Sequence, residues 1–260
     1  MNLEADYLVI GTGAMGMAFV DTLLTETEAT VIMVDKHGKP GGHWNDAYPF
    51  VHLHQPSSFY GVNSEKLGDD AIDESGWNKG LHELASGAEV CAYFDQVMQR
   101  RFVSSGRVQY FPMCEYLADK SFKSMVTGDV QQVISRKLVD ATYMNVSVPS
   151  VKPPEYQVDS DVTCIPLNDL PKLREPHAQY VVIGAGKTGM DACLWLLSNQ
   201  VAPDNISWVT PRDSWILDRA NIQPGRTGAM VGVEGLAAQM QAVSESESID
   251  DMFARVNANG

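Results

Sequence analysis

The sequence predicts an α/β protein made of two Rossmann-like dinucleotide-binding units with parallel sheets, joined by a small β-rich segment. Three observations carry this prediction. "LVIGTGAMGMA" at 8–18 places a glycine-rich turn between a short apolar run and a helical pattern. "VVIGAGKTGMD" at 181–191 repeats that arrangement late in the chain. A second apolar run follows each turn, "TVIMVD" at 30–35 and "ISWVTP" at 206–211. Strand, tight turn, helix and strand open a parallel βαβ unit.

Taken in order, Asp6 to Ile10 reads as a buried strand, and Met15, Phe19 and Leu23 follow at helical spacing. Residues 36–63, rich in Gly, Pro, Ser and aromatics, predict irregular structure. "LASGAEVCAYFDQVMQRRFV" has helical periodicity with Ser86 as N-cap. "RVQYFPM" at 107–113 is a strand candidate. From Cys114 to Val158 short β-prone runs flank a turn at Gly128-Asp129. "SVPSVKPPEY" is a proline-rich connector, and Gly228 to Asn259 is polar and helix-prone. The expected organisation is a first unit at 1–115, the β-rich connector at 116–170, a second unit at 171–225 and a helical C-terminal segment at 226–260.

Composition narrows the function. The 260 residues are 44% hydrophobic, enough to bury a core, and carry a net charge of −14. Such a surface repels nucleic-acid phosphates and anionic lipid, so neither is an expected partner. No apolar run approaches the ~20 residues that span a bilayer, and the acidic start "MNLEADYLVIG" is unlike a secretory signal. A cytoplasmic location is expected. The four cysteines, Cys91, Cys114, Cys164 and Cys193, form no CxxC pair, which argues against a redox-active disulfide or zinc ribbon. His52 and His54 lack a third ligand at a recognisable spacing, so no metal is expected.

The glycines have separate jobs. The first permits the sharp bend, the second lets a pyrophosphate approach the backbone, and the third lets the helix pack against the strand. The helix N-terminus then offers free N–H groups to phosphate oxygens. The cofactor-binding candidates of the first turn are Gly11, Gly13, Ala14, Met15 and Gly16, with Asp35 and Lys36 at the end of the following strand. Asp35 stands 19 residues after Gly16, where a carboxylate can accept from an adenosine 2′-OH. A charge-assisted bond of that kind contributes about 1.5–3 kcal/mol. The same carboxylate repels a 2′-phosphate, by about 4 kcal/mol at ~4 Å and an effective dielectric of ~20. The first turn is therefore expected to take FAD or NAD and to reject NADP. In the second unit the candidates are Gly184, Gly186, Lys187, Thr188 and Gly189. There the strand ends at Thr210 without an acid, and Arg212 can grip a 2′-phosphate bidentately, favouring NADPH despite the neighbouring Asp213. Asp191, in the first turn of the second helix, suits the helix dipole whatever the function.

Together these stretches resemble the flavin-containing monooxygenase-like group of FAD- and NAD(P)H-dependent oxidoreductases. The matching residues are "VIGTGAMG", "VDKHGKPGGHW", "VVIGAGKTGMD" and "WVTPRDSW". The resemblance implies that the first turn holds FAD and the second NADP, with hydride passing from NADPH to the flavin and on to an acceptor, oxygen being one candidate. It implies that Gly42, His43 and Trp44 form a second flavin-contacting loop, and that Ala141 to Ser150 leads into the NADPH unit. Gln55, Ser57, Ser58 and Tyr60 would border the active site as a wall for a small-molecule substrate, or equally satisfy loop backbone. Two features depart from the group. The F-x-G-x-x-x-H hallmark before the second turn is replaced by "CIPLNDLPKLREPHAQY", which weakens oxygen insertion. No late Gly-Asp element follows the second unit, so the chain is expected to be an N-terminal portion. No catalytic side chain and no oligomeric state can be read from the sequence. Two other readings stay open: a non-catalytic NADP(H)-binding module, and an NAD-dependent dehydrogenase without flavin, which leaves the second turn unexplained.

Overall fold

Parallel pairing of short strands organises the chain. The structure, a computed structural model, describes residues 3–142, 156–211, 216, 218–225 and 233–258. β1 (Leu3–Ile10) leads through a glycine turn into α1 (Ala14–Glu26), which returns to β2 (Val31–Val34). All four β2 residues are buried, as expected of a strand covered on both faces. α2 (Gly87–Val97) precedes β3 (Val108–Phe111), which pairs in parallel with β2.

β4 (Cys114–Tyr116), β5 (Ser121–Ser124) and β6 (Val130–Asp140) form an antiparallel meander, with the turn at Gly128-Asp129 between β5 and β6. This β-rich stretch does not stand apart from the first unit. β6 continues past β5 to lie parallel to β1, from Leu3↔Val133 to Ile10↔Asp140. The result is one six-stranded sheet of order β3-β2-β1-β6-β5-β4. Its core includes Ala5, Leu8, Ile32, Val34, Phe122 and Val133.

β7 (Tyr180–Ile183), α3 (Lys187–Ser198) and β8 (Ile206–Val209) make a second parallel strand–helix–strand unit, a two-stranded sheet. Two further helices, α4 (Val233–Glu245) and α5 (Ile249–Ala258), follow. The described residues of Met1–His52, Gly61–Leu67 and Ser86–Ser214 form one compact unit, which contains both sheets. Those of Leu53–Tyr60, Gly68–Ala85 and Trp215–Gly260 form another. Within the latter, Arg219 donates to Asn78 Oδ1 at 2.8 Å and to the His54 carbonyl at 3.2 Å. Among the described residues no helix is long and apolar enough to cross a membrane.

Local signals explain most boundaries. Ser86 caps α2 in a reciprocal capping box with Glu89, each side chain accepting from the other's backbone N–H. α1 departs from the predicted phase: its buried residues are Gly16, Met17, Val20, Asp21, Leu23 and Leu24, while Met15 is 69% exposed. The helix is apolar on several faces, so spacing alone left its orientation undecided. Buried Asp21 is held by Arg101 Nε at 2.5 Å and by the Ser64 amide at 3.0 Å.

Ser86→Ala is expected to lower stability by about 1 kcal/mol. Gly16→Ala and Gly189→Ala are expected to cost more, about 1–3 kcal/mol each, because an added methyl overpacks the helix against the strand end. Urea denaturation followed by circular dichroism measures all three.

Candidate dinucleotide site

Two glycine turns of one design stand in the same compact unit. In the first, Gly11 has φ +93° and in the second Gly184 has φ +125°, backbone that L side chains rarely adopt. Gly13 and Gly186 are the N-caps of α1 and α3, both extended and both without a side-chain cap. Helix N-termini of this kind present backbone N–H groups that can donate to an anion; at α3 the Gly189 amide already donates to the Gly186 carbonyl at 3.0 Å. A Cβ on Gly16 would lie 2.1 Å from the Gly11 carbonyl oxygen, and one on Gly189 would lie 2.4 Å from that of Gly184. The third glycine in each turn is therefore demanded by helix–strand contact.

The first turn sits at the carboxyl end of β1, where β2 lies on one side and β6 on the other. Connections diverge at that point, the usual ligand crevice of an open α/β sheet. Thr142 and Ala141, at the end of β6, pack against Gly11. The Gly41-Gly42 loop covers the other side. The Gly41 amide donates to the Thr12 carbonyl at 2.9 Å. Gly42 lies so close to Gly13 that a Cβ there would meet the Gly13 Cα at 2.9 Å. Gly42, His43 and Trp44 thus stand beside the first turn, with the His43 and Trp44 rings stacked at 5.4 Å. Ala14 is partly buried, and Met15 and Lys36 are exposed. At the second turn a Cβ on Gly186 would meet nothing within 4 Å.

Asp35 is buried at the end of β2 and is already occupied. Its Oδ2 accepts from the Thr12 amide at 2.6 Å and the Thr12 hydroxyl at 2.8 Å. Its Oδ1 accepts from the His37 amide at 2.8 Å and lies 2.9 Å from His37 Nδ1. These bonds fill the acceptor capacity of a carboxylate, so a ribose hydroxyl would have to displace one of them. Burial alone would raise the Asp35 carboxyl, but the bonds from His37 and Thr12 outweigh it and hold it below the ordinary value. His37 also reaches Asp46, with Nε2 3.0 Å from Oδ2. The Asp35 bond, opposed by burial and assisted by Asp46, raises the imidazole above its ordinary 6.5.

Lys187 and Asp191 also have partners in the chain. The Lys187 ammonium donates to the His52 carbonyl at 2.8 Å, to the Tyr48 hydroxyl at 3.2 Å, and to Asp191 Oδ2. Three acceptors match its three N–H groups, leaving none for a phosphate. The Tyr48 hydroxyl itself donates to Asp191 at 2.5 Å. Burial and then Asp191 push the Tyr48 phenol upward, so it stays a proton donor. Thr188 lies beside Tyr48. Arg212, the residue predicted to read a 2′-phosphate, and most of the Ala141–Ser150 stretch lie outside the described residues.

Sequence reasoning missed Thr12, His37, Tyr48 and Trp208, whose indole donates to the Gly184 carbonyl at 2.7 Å. Thr12 could have been noticed as the polar residue between two glycines; the others carry no periodic signal. Ser57 serves loop backbone, donating to the Glu83 carbonyl and accepting from the Ala85 amide. Among the described residues no group of three or more His, Cys, Asp or Glu side chains is arranged to hold a metal ion.

Solved structures share the fold of this chain. A flavin-containing monooxygenase from Stenotrophomonas maltophilia has the same fold, with TM-score 0.55 and 18% identity over 99% of this chain and 68% of that one. A bacillithiol disulfide reductase from Staphylococcus aureus matches with TM-score 0.52 and 17% identity over 82% of this chain and 59% of that one. No protein-family model matches the sequence. Among curated proteins, relatives described as uncharacterized from Mycobacterium tuberculosis and Mycobacterium bovis are 53% identical over 259 residues. That alignment covers 100% of this chain and 48% of each relative, so the chain spans about half the length of the curated relatives it matches.

The Asp35–His37–Asp46 chain sets a pH dependence. A raised imidazole stabilises the fold fully below about pH 6.5 and loses that contribution as pH rises through its folded value. A lowered carboxyl contributes above about pH 3.8 and loses it as pH falls through its folded value. The Asp35–His37 contact therefore contributes most in the interval between. From about pH 6 to 9 the wild-type melting temperature should fall, and His37→Gln should flatten that part of the profile. Differential scanning calorimetry across the range checks it.

Proposed function

We infer that this chain carries the two dinucleotide sites of a flavoprotein oxidoreductase, FAD at the first glycine turn and NADPH at the second. The observation that carries the reading is the duplicated turn geometry. Two helix N-termini without a side-chain cap, each behind a glycine at positive φ, lie in one compact unit. When bound, NADPH supplies a hydride and the flavin accepts it for delivery to a further acceptor, oxygen being one candidate.

The chain's own residues bind and orient. The amides at the start of α1 receive the pyrophosphate of the first dinucleotide, and Gly13 and Gly42 allow its close approach. Thr12 and Asp35 hold the turn in shape; the Asp35 charge still disfavours a 2′-phosphate nearby. His43 and Trp44 stand on the loop that would line the flavin side. At the second site the amides at the start of α3 take the same role, and Arg212 selects the 2′-phosphate. The substrate is a small molecule, and the protein acts in the cytoplasm.

The first test is the visible spectrum of the purified protein with FAD added. A bound flavin band that bleaches anaerobically on adding NADPH is expected. NADPH binding without any flavin uptake at excess FAD would identify a dinucleotide-binding module instead. Arg212→Ala should shrink the preference for NADPH over NADH by about 10- to 100-fold, the worth of a charge-assisted bond. Competition titration of the two cofactors measures it, and an unchanged preference removes Arg212 from the site.

A further inference from the structure

The loop between β2 and α2 touches both glycine turns. Its Gly41 amide and Gly42 backbone sit on the first turn. Further along the loop, Tyr48 and His52 accept from Lys187 at the start of α3, and Phe50 packs nearer the other end of the helix. Phe50 stacks on Trp195 at 5.4 Å and 29°, and the Lys187 ammonium stands 5.6 Å from the Tyr48 ring centroid.

Local helix energetics do not explain Lys187. It is the first residue of α3, where a cation opposes the helix dipole. A lysine placed N-terminal to an acid at i,i+4 is also the weaker order of that pair. What the position offers is tertiary: three acceptors, two of them on the 41–52 loop. Tyr48 is 8% exposed, so its bond to Asp191 is largely shielded from competing water at the tyrosine end.

We propose that Tyr48, Lys187 and Asp191 are positioning residues that tie the second glycine turn, through the 41–52 loop, to the first. Lys187 is the tie itself and not a phosphate ligand. The geometry stands by itself; its consequence for hydride transfer rests on the function inferred above. With two cofactors on two turns, donor and acceptor atoms meet only if the turns are held in register. A misplacement of about 1 Å can slow such a transfer by about 100-fold.

The test uses the full chain carrying Lys187→Met, which keeps the stem and removes the N–H groups, then Tyr48→Phe and the double variant. Hydrogen exchange is read at 44–52 and at the first turn of α3, alongside NADPH affinity and the rate of flavin reduction at saturating NADPH. Exchange should quicken in both segments in each single variant. The double variant should be no worse than the more affected single one, as for residues acting as a unit. NADPH affinity should stay within about threefold while flavin reduction slows about 10-fold or more. A purely structural role would lower the melting temperature without that split between binding and rate. A rise of about tenfold or more in the NADPH dissociation constant, with exchange at 44–52 unchanged, would make Lys187 a phosphate ligand and overturn the proposal. Unchanged exchange with unchanged affinity would overturn it as well. Should the wild-type chain take up no flavin, the function fails, while the exchange data still decide the tie. If Lys187→Met does not fold, Asp191→Asn tests the same contact.

Discussion

The Asp35 carboxylate is the contact on which the first turn depends. A charge buried at a strand end is costly unless its lone pairs are used. Here Thr12 and His37 use all of them. One oxygen fixes the residue between Gly11 and Gly13 and so sets the shape of the bend. The other fixes His37, which carries the connection on to Asp46 and the loop beyond. Replacing Asp35 would leave the Thr12 amide and hydroxyl without their acceptor in the interior of the crevice. The loop that covers the turn would lose its anchor at the same time.

This arrangement revises how an acid at the end of the second strand is read. Its position suggested a ribose ligand. The structure gives it a prior duty inside the protein, and Lys187 is a parallel case. In each turn one charged residue expected to meet a ligand, Asp35 in the first and Lys187 in the second, instead bonds to the chain. Phosphate recognition of this kind needs amides and space more than side chains.

Much of the fold was legible because its signals are local. The apolar runs ending at Gly11 and Gly184 gave β1 and β7, the spacing after them gave α1 and α3, and Ser86 with Glu89 gave the start of α2. The Gly128-Asp129 turn was read correctly between two strands. What escaped was set by distant partners. Nothing near Val130 announces that β6 will run beside β1, since parallel pairing is decided by the whole sheet. Nothing in "NDAYPFVHLH" has a period, so the partners of Tyr48 and His52 on α3 could not be read. Met15 looked like a core residue because α1 offers more than one apolar stripe, and only packing selected the one through Met17 and Val20.

The pairing of β1 with β6 also has a history in time. Ile10 emerges early in synthesis, yet its neighbour Asp140 is about 130 residues behind it. At about 5–20 residues per second the ribosome needs roughly 7–25 s to cover that interval. Throughout it the central strand has one edge with no partner, while β2 and α1 are already made. An open, apolar strand edge is a template for a neighbouring nascent chain. The opening glycine turn is thus written first and completed late, when β6 arrives to close the open edge of β1.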